Sequence, residues 1–157
     1  MAKNSLTIIR ENLQAYADRG VFRGFSETGS RGGTHSFSFT WLVPHPLELT
    51  VDTKSGILKF KDLLPNVPGG SALHSDLKSF LHERCNGALP KHRRIDKARA
   101  ELLCRNNAGK ISIALKVKNN QYRYCLNRIV NLVHELFVHL NDAHVDYMRE
   151  SFDAPQE

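Results

Sequence analysis

Apolar residues recur along this chain at two periods, and the places where the period changes divide it into elements. Leu6, Ile9, Leu13 and Tyr16 fall at helical spacing behind Ser5, whose hydroxyl suits a helix cap, and Gly20 suits the left-handed residue after a helix. Phe37, Phe39 and Trp41 then alternate with Ser36, Ser38 and Thr40, the two-residue repeat of a half-buried strand. Leu47, Leu49 and Val51 alternate in the same way, and the turn D-T-K-S-G leads to Ile57, Leu58 and Phe60. That is a hairpin with Gly56 at its positive-φ position. Pro65 and Pro68 cannot donate to a ladder and close the strand segment.

Helical spacing returns after Ser71, with Leu73, Leu77, Phe80 and Leu81 on one face and Gly87 beyond the end. ARAELLCR and KISIALKVK flank N-N-A-G, a second hairpin. From about Gln121, Leu126, Ile129, Val130, Val133, Leu136, Phe137 and Leu140 define a long helix. Val145, Met148 and Phe152 continue its pattern past a break near Asn141. The predicted order is α-β-β-β-α-β-β-α, with room for a further strand near Phe22–Phe25. Strands arrive in hairpins without crossover helices, so the expected fold class is α+β. An antiparallel sheet of about five strands should carry helices packed on it. Residues 1–157 are expected to form a single domain, with 26–35 (around SETGSRGGT) a mobile loop and 153–157 a frayed tail.

Composition narrows the functional classes. The three cysteines, Cys85, Cys104 and Cys125, form no CxxC and no paired pattern, as expected of reduced thiols in a cytoplasmic protein. The charged N-terminal segment MAKNSLTIIRENLQAY does not resemble a signal peptide, and no window is apolar enough to span a membrane. Net charge is +6 but unevenly spread. Residues 84–128 carry 12 Lys/Arg against two acids, net +10, whereas residues 129–157 carry net −5. Such a dipolar chain suits a polyanion, or head-to-tail contact in a homodimer.

The stretch VHELFVHLNDAHVD invites comparison with a zinc-hydrolase helix, where His-Glu-x-x-His puts two ligands four apart on one face. Here His139 follows His134 by five, a rotation of about 140°, and Val138 holds the ligand position. His144 lies five further on. No two of the three then share a face, so no metal is expected there. No GxSxG, paired-carboxylate, GK[ST] or GxGxxG motif occurs, and Ser71 is better placed as a helix cap than as a nucleophile. Neither catalytic residue nor cofactor is therefore assigned, and the chain is not expected to be an enzyme.

What stands out is basic. Lys91, Arg93, Arg94, Lys97 and Arg99 fall within nine residues, and Lys116 and Lys118 follow on KISIALKVK. These seven are the candidate binding residues. On a strand Lys110, Lys116 and Lys118 share the face opposite Ile111, Ile113, Leu115 and Val117. Such a surface is a solvated sheet face with basic edges, or it docks an acidic protein segment or, alternatively, nucleic-acid phosphates, and there is little aromatic interleaving to stack bases.

The element order, the hairpin KISIALKVKNN, the helix YRYCLNRIVNLVHELFVHL and the closing VDYMRESF resemble the type III secretion chaperone-like fold and its YbjN-type relatives. The resemblance implies a small homodimeric module that binds a protein partner without catalytic residues. The secretion chaperones tend to be acidic, whereas this chain is basic.

Overall fold

A computed structural model describes residues 5–42, 45–85, 90 and 94–152. Its elements are α1 (Ser5–Asp18), β1 (Arg23–Arg31), β2 (Thr34–Thr40), β3 (Pro46–Asp52), β4 (Ile57–Leu64), α2 (Ala72–Glu83), β5 (Ala100–Asn107), β6 (Lys110–Val117), α3 (Tyr122–Ala143) and α4 (Val145–Ser151). The six strands make one antiparallel sheet in the order β1-β2-β3-β4-β6-β5. The α+β class and the antiparallel sheet are as the hydrophobic pattern predicts, with one more strand and one more short helix.

The turns follow the chemistry of their residues. Asp52 Oδ1 accepts from the backbone N–H of Lys54 and Ser55, and Gly56 takes φ +74°. Ala108 and Gly109, at φ +54° and +90°, form the turn of the second hairpin. Ser71 caps α2 by accepting from the His74 N–H at 3.1 Å.

The expected mobile loop at 26–35 is not a loop. It is most of β1, the β1–β2 turn and the start of β2. Gly32 and Gly33 sit at φ +58° and +91°, the paired positive dihedrals of a two-residue hairpin turn. β1 is an edge strand exposed at almost every position and shifted in register near Gly24 and Gly29. Phe25 alone packs on the core, in the stretch where a further strand was suggested; the exposed remainder carries no apolar alternation, so its polar sequence conceals it. The tail at 153–157 lies outside the described residues.

Almost all the burial lies on one side of the sheet, Ala114 on the other side being the exception. Phe37, Phe39, Leu47, Leu49, Val51, Leu58, Phe60, Ile111, Ile113 and Leu115 point to the helical layer and belong to one hydrophobic cluster. α3 packs across β4 and β6, and α1 packs against α3 and β1. A stack of Tyr16, Phe22 and Phe39 fills the corner between α1 and the sheet. All seven predicted stripe residues of α3 are buried, and Met148 and Phe152 extend the stripe. Val145 does not: the helix breaks at His144, and Val145 is exposed at the start of α4.

Phe137 is 2% exposed and meets the Phe152 ring edge-on at 5.6 Å. Phe137→Ala is expected to cost about 3–5 kcal/mol, because the cavity it leaves is enclosed by secondary structure that cannot collapse into it. The denaturant midpoint of the variant measures this, and an unchanged midpoint would mean the α3 stripe is assigned to the wrong side.

Candidate functional site

The side of the sheet away from the helices carries Ser36, Ser38, Thr40, Glu48, Thr50, Lys59, Lys61, Ser112, Ala114, Lys116, Glu101, Leu103 and Arg105, as strand alternation requires. Cross-strand register orders them. Lys59 stands opposite Ala114 and Ala114 opposite Leu103; Ile57 stands opposite Lys116 and Lys116 opposite Glu101; Ser112 stands opposite Arg105. The floor is therefore of small or aliphatic side chains and the walls are cationic. Beyond Phe60 the β4–β6 register shifts, with Asp62 at φ +50° and its N–H donating to Ser112 Oγ at 2.9 Å. That bulge lets Leu63 and Leu64 both be buried and bends the strand beside the floor. The result is an open groove of about 610 Å³ lined by Lys59, Lys61, Asp62, Ile57, Leu103, Arg105, Ser112 and Ala114, among others. No ion-pair partner reaches Lys59, Lys61, Arg105 or Lys116 among the described residues.

The seven basic residues singled out in the sequence divide into three groups. Lys91 and Arg93 lie outside the described residues. Lys116 stands on the open face. Arg94, Lys97, Arg99 and Lys118 gather where the connector meets α3, and most of that corner is structural. Lys118 Nζ donates to the Lys97 carbonyl at 3.0 Å. The Arg99 guanidinium lies 4.9 Å from the Tyr124 ring centre and that of Arg128 5.0 Å from it. The Tyr124 hydroxyl accepts from the Asp96 N–H at 2.8 Å and donates to the Arg94 carbonyl. Tyr124 thus holds the connector to α3 and is not free to stack a base. Lys59, Lys61 and Arg105 are missing from the sequence-derived set. Lys59 and Lys61 flank Phe60 on a strand whose neighbour across the sheet comes about fifty residues later in the chain, as the Lys59–Ala114 pair shows.

A second cluster lies between helices. Asp76, Phe80 and Arg84 recur every four residues on α2 and at its C-cap, so they share one face. That face runs antiparallel to α3: Arg84 Nη1 meets Glu135 Oε1 at 2.8 Å, and the Phe80 ring stacks on His139 at 4.9 Å. Asp76 Oδ2 meets His139 Nε2 at 2.8 Å and His144 Nε2 at 2.6 Å. Those hydrogen bonds hold the Asp76 carboxyl below its ordinary value.

The expectation that these histidines cannot share a ligand set is overturned for His139 and His144. It assumed an unbroken helix. α3 ends at Ala143, and His144, at φ −134° and ψ 55°, leaves the helical path, which brings its ring back to within 5.9 Å of that of His139. His134 stays exposed on α3 and outside the cluster. The one hint in the sequence was the break in apolar spacing near Asn141. The carboxylate, 63 residues from His139, gave no local signal.

Burial pushes all three thiols up, Cys125 to about 11, the opposite of an activated nucleophile. None is disulfide-bonded. Among the described residues no helix is long and apolar enough to cross a membrane. No protein-family pattern, curated protein or solved structure matches this chain.

A carboxyl whose folded value lies below its unfolded one adds stability above the unfolded value and loses it as pH falls through the folded value. The stability gap between wild type and Asp76→Asn, measured by urea unfolding in chelator, should therefore shrink as the pH drops below the ordinary carboxyl value of 3.8. A gap independent of pH across that window would show that the hydrogen bonds do not favour the ionised carboxylate.

Proposed function

We propose that this protein is a non-enzymatic, chaperone-like binding module that docks an extended acidic segment of a partner protein on the open β4–β6–β5 face. The observation that carries the proposal is the groove itself. Lys59, Lys61 and Arg105 flank a floor of Ser112, Ala114 and Leu103, with Asp62 the acid among the lining residues. Arg10–Glu27 and Arg84–Glu135 show basic groups neutralised by acids, whereas the groove gathers several that are not into one concavity. Cations left without partners in a concave surface raise the local concentration of an acidic ligand and orient it.

A protein segment fits better than nucleic acid. Sheets that bind single strands present aromatic rings for bases to stack on. The outward positions of β2 to β6 carry no aromatic side chain. Tyr122 is buried, and Tyr124 is held between two guanidinium groups. The charge split between residues 84–128 and 129–157, together with the resemblance to small dimeric modules, supports a homodimer as the working unit.

A fluorescent Glu/Asp-rich peptide should bind the wild type, and Lys59→Glu with Arg105→Glu should weaken it by about tenfold or more without a change in circular dichroism. RNA and duplex DNA measured in parallel distinguish the alternative. Tighter binding of either than of the peptide, with a log–log salt slope near −0.7 to −0.9 per phosphate contacted, would replace the peptide reading with a nucleic-acid one. Sedimentation equilibrium should return a dimer mass, and a monomer at tens of micromolar would remove the homodimer from the proposal.

A further inference from the structure

The geometry points to a site for one divalent transition-metal ion, Zn²⁺ foremost, held by Asp76 Oδ2, His139 Nε2 and His144 Nε2. The three donor atoms lie within 4.8 Å of one another and converge from two separate elements, α2 and the α3–α4 corner. Two imidazole nitrogens and a carboxylate oxygen suit Zn²⁺ and its transition-metal neighbours, whereas Ca²⁺ and Mg²⁺ select all-oxygen sets.

Ligands bound at 2.0–2.2 Å in a tetrahedron stand about 3.3–3.6 Å apart. Both histidine nitrogens are closer than that to Asp76 Oδ2, at 2.8 and 2.6 Å. The carboxylate would withdraw by about 0.5–1 Å, and the two nitrogens, within 4.8 Å of each other, would settle to the same spacing to admit the ion. The hydrogen that each Nε2 shares with the carboxylate would be carried on Nδ1 of the same ring, and a ring that held two would release one to water as the ion binds. Nδ1 of His139 and of His144 has no protein hydrogen-bond partner among the described residues and stands free to carry it.

The surroundings limit how far the ligands can stray. Phe80 fixes the plane of the His139 ring by stacking. The Arg84–Glu135 pair, two helical turns from Asp76 along α2, holds the register of α2 against α3. His144 is oriented by the helix break and not by a freely swinging helical position. Side-chain exposures of 38% for Asp76, 28% for His139 and 25% for His144 leave a path for entry. Three protein donors leave a coordination position for water, and the ion would clamp α2 to the α3–α4 corner.

The test uses the untagged full-length chain, stripped with chelator and desalted, titrated with Zn²⁺ by calorimetry and with Co²⁺ by visible absorption. One ion per chain should bind, with ligand-field bands in the Co²⁺ form and a melting temperature that rises with free metal. His139→Ala, His144→Ala and Asp76→Asn should each weaken binding by at least about tenfold, while His134→Ala, an exposed histidine on the same helix, should not. If loss of the ring on Phe80 unfolds His139→Ala, His144→Gln and Asp76→Asn alone decide the matter. No saturable binding at about 0.1 mM free metal, or equal binding in the Asp76 and His144 variants, would overturn the site and leave a hydrogen-bonded staple between helices. Peptide binding by the sheet face is read separately, since none of these residues lines the groove.

Discussion

The pairing of β4 with β6 is the constraint on which the rest of the molecule depends. It joins a four-stranded meander from the first half of the chain to a hairpin from the second, through Leu58 opposite Leu115, Phe60 opposite Ile113 and Leu64 opposite Ile111. Every one of those six side chains is fully buried on the helical side. A slip of one residue would turn each of them outward and bring lysines into the core, so this register is strongly specified. α3 lies over both strands of the seam, and its apolar stripe is complete only when the two halves have met.

The groove is the reverse side of the same seam. Because Phe60 points inward, Lys59 and Lys61 point outward; because Ile113 points inward, Ser112 and Ala114 point outward. The small side chains of β6 make the floor, and the longer cations of β4 and β5 stand on either side. Packing on one face thus sets the spacing of charge on the other, with no further interaction needed to hold the site in shape. The helical layer has a comparable economy: one stripe of α2 supplies a carboxylate, an aromatic ring and, at the C-cap, a guanidinium, and each meets its counterpart along α3 and the corner beyond it.

Short-range physics was legible in the chain. The periods of apolar residues located α1, α2, α3 and five of the six strands, and turn residues such as Asp52, Gly56 and Gly109 marked where the chain reverses. Seven of the ten buried residues of α3 were readable as its stripe, because a long amphipathic helix has only one way to face a core. Two features escaped for definable reasons. β1 was suggested only near Phe22–Phe25; past Phe25, which packs on Phe37, its side chains are exposed and show no alternation, so its length is set by pairing with β2. α4 is separated from α3 by a single residue, His144, whose non-helical dihedrals no nearby glycine or proline announces.

By itself the sequence determined the α+β class, the two hairpins, the Ser71 cap and the concentration of positive charge in residues 84–128, since all of these arise from residues within a few positions of one another. Only the tertiary structure decided which cations share a surface. Lys59 and Lys61 join Arg105 and Lys116 there because β4 pairs with β6 across a long connection, whereas Arg99 and Lys118 turn to a corner built on Tyr124. It also decided that His139 and His144 meet on Asp76, which required a helix to break at one residue and another helix to arrive from 63 residues away. Local spacing reports on the geometry of an element while it continues. Where elements end, and which ones then lie together, is settled by the packing of the whole core.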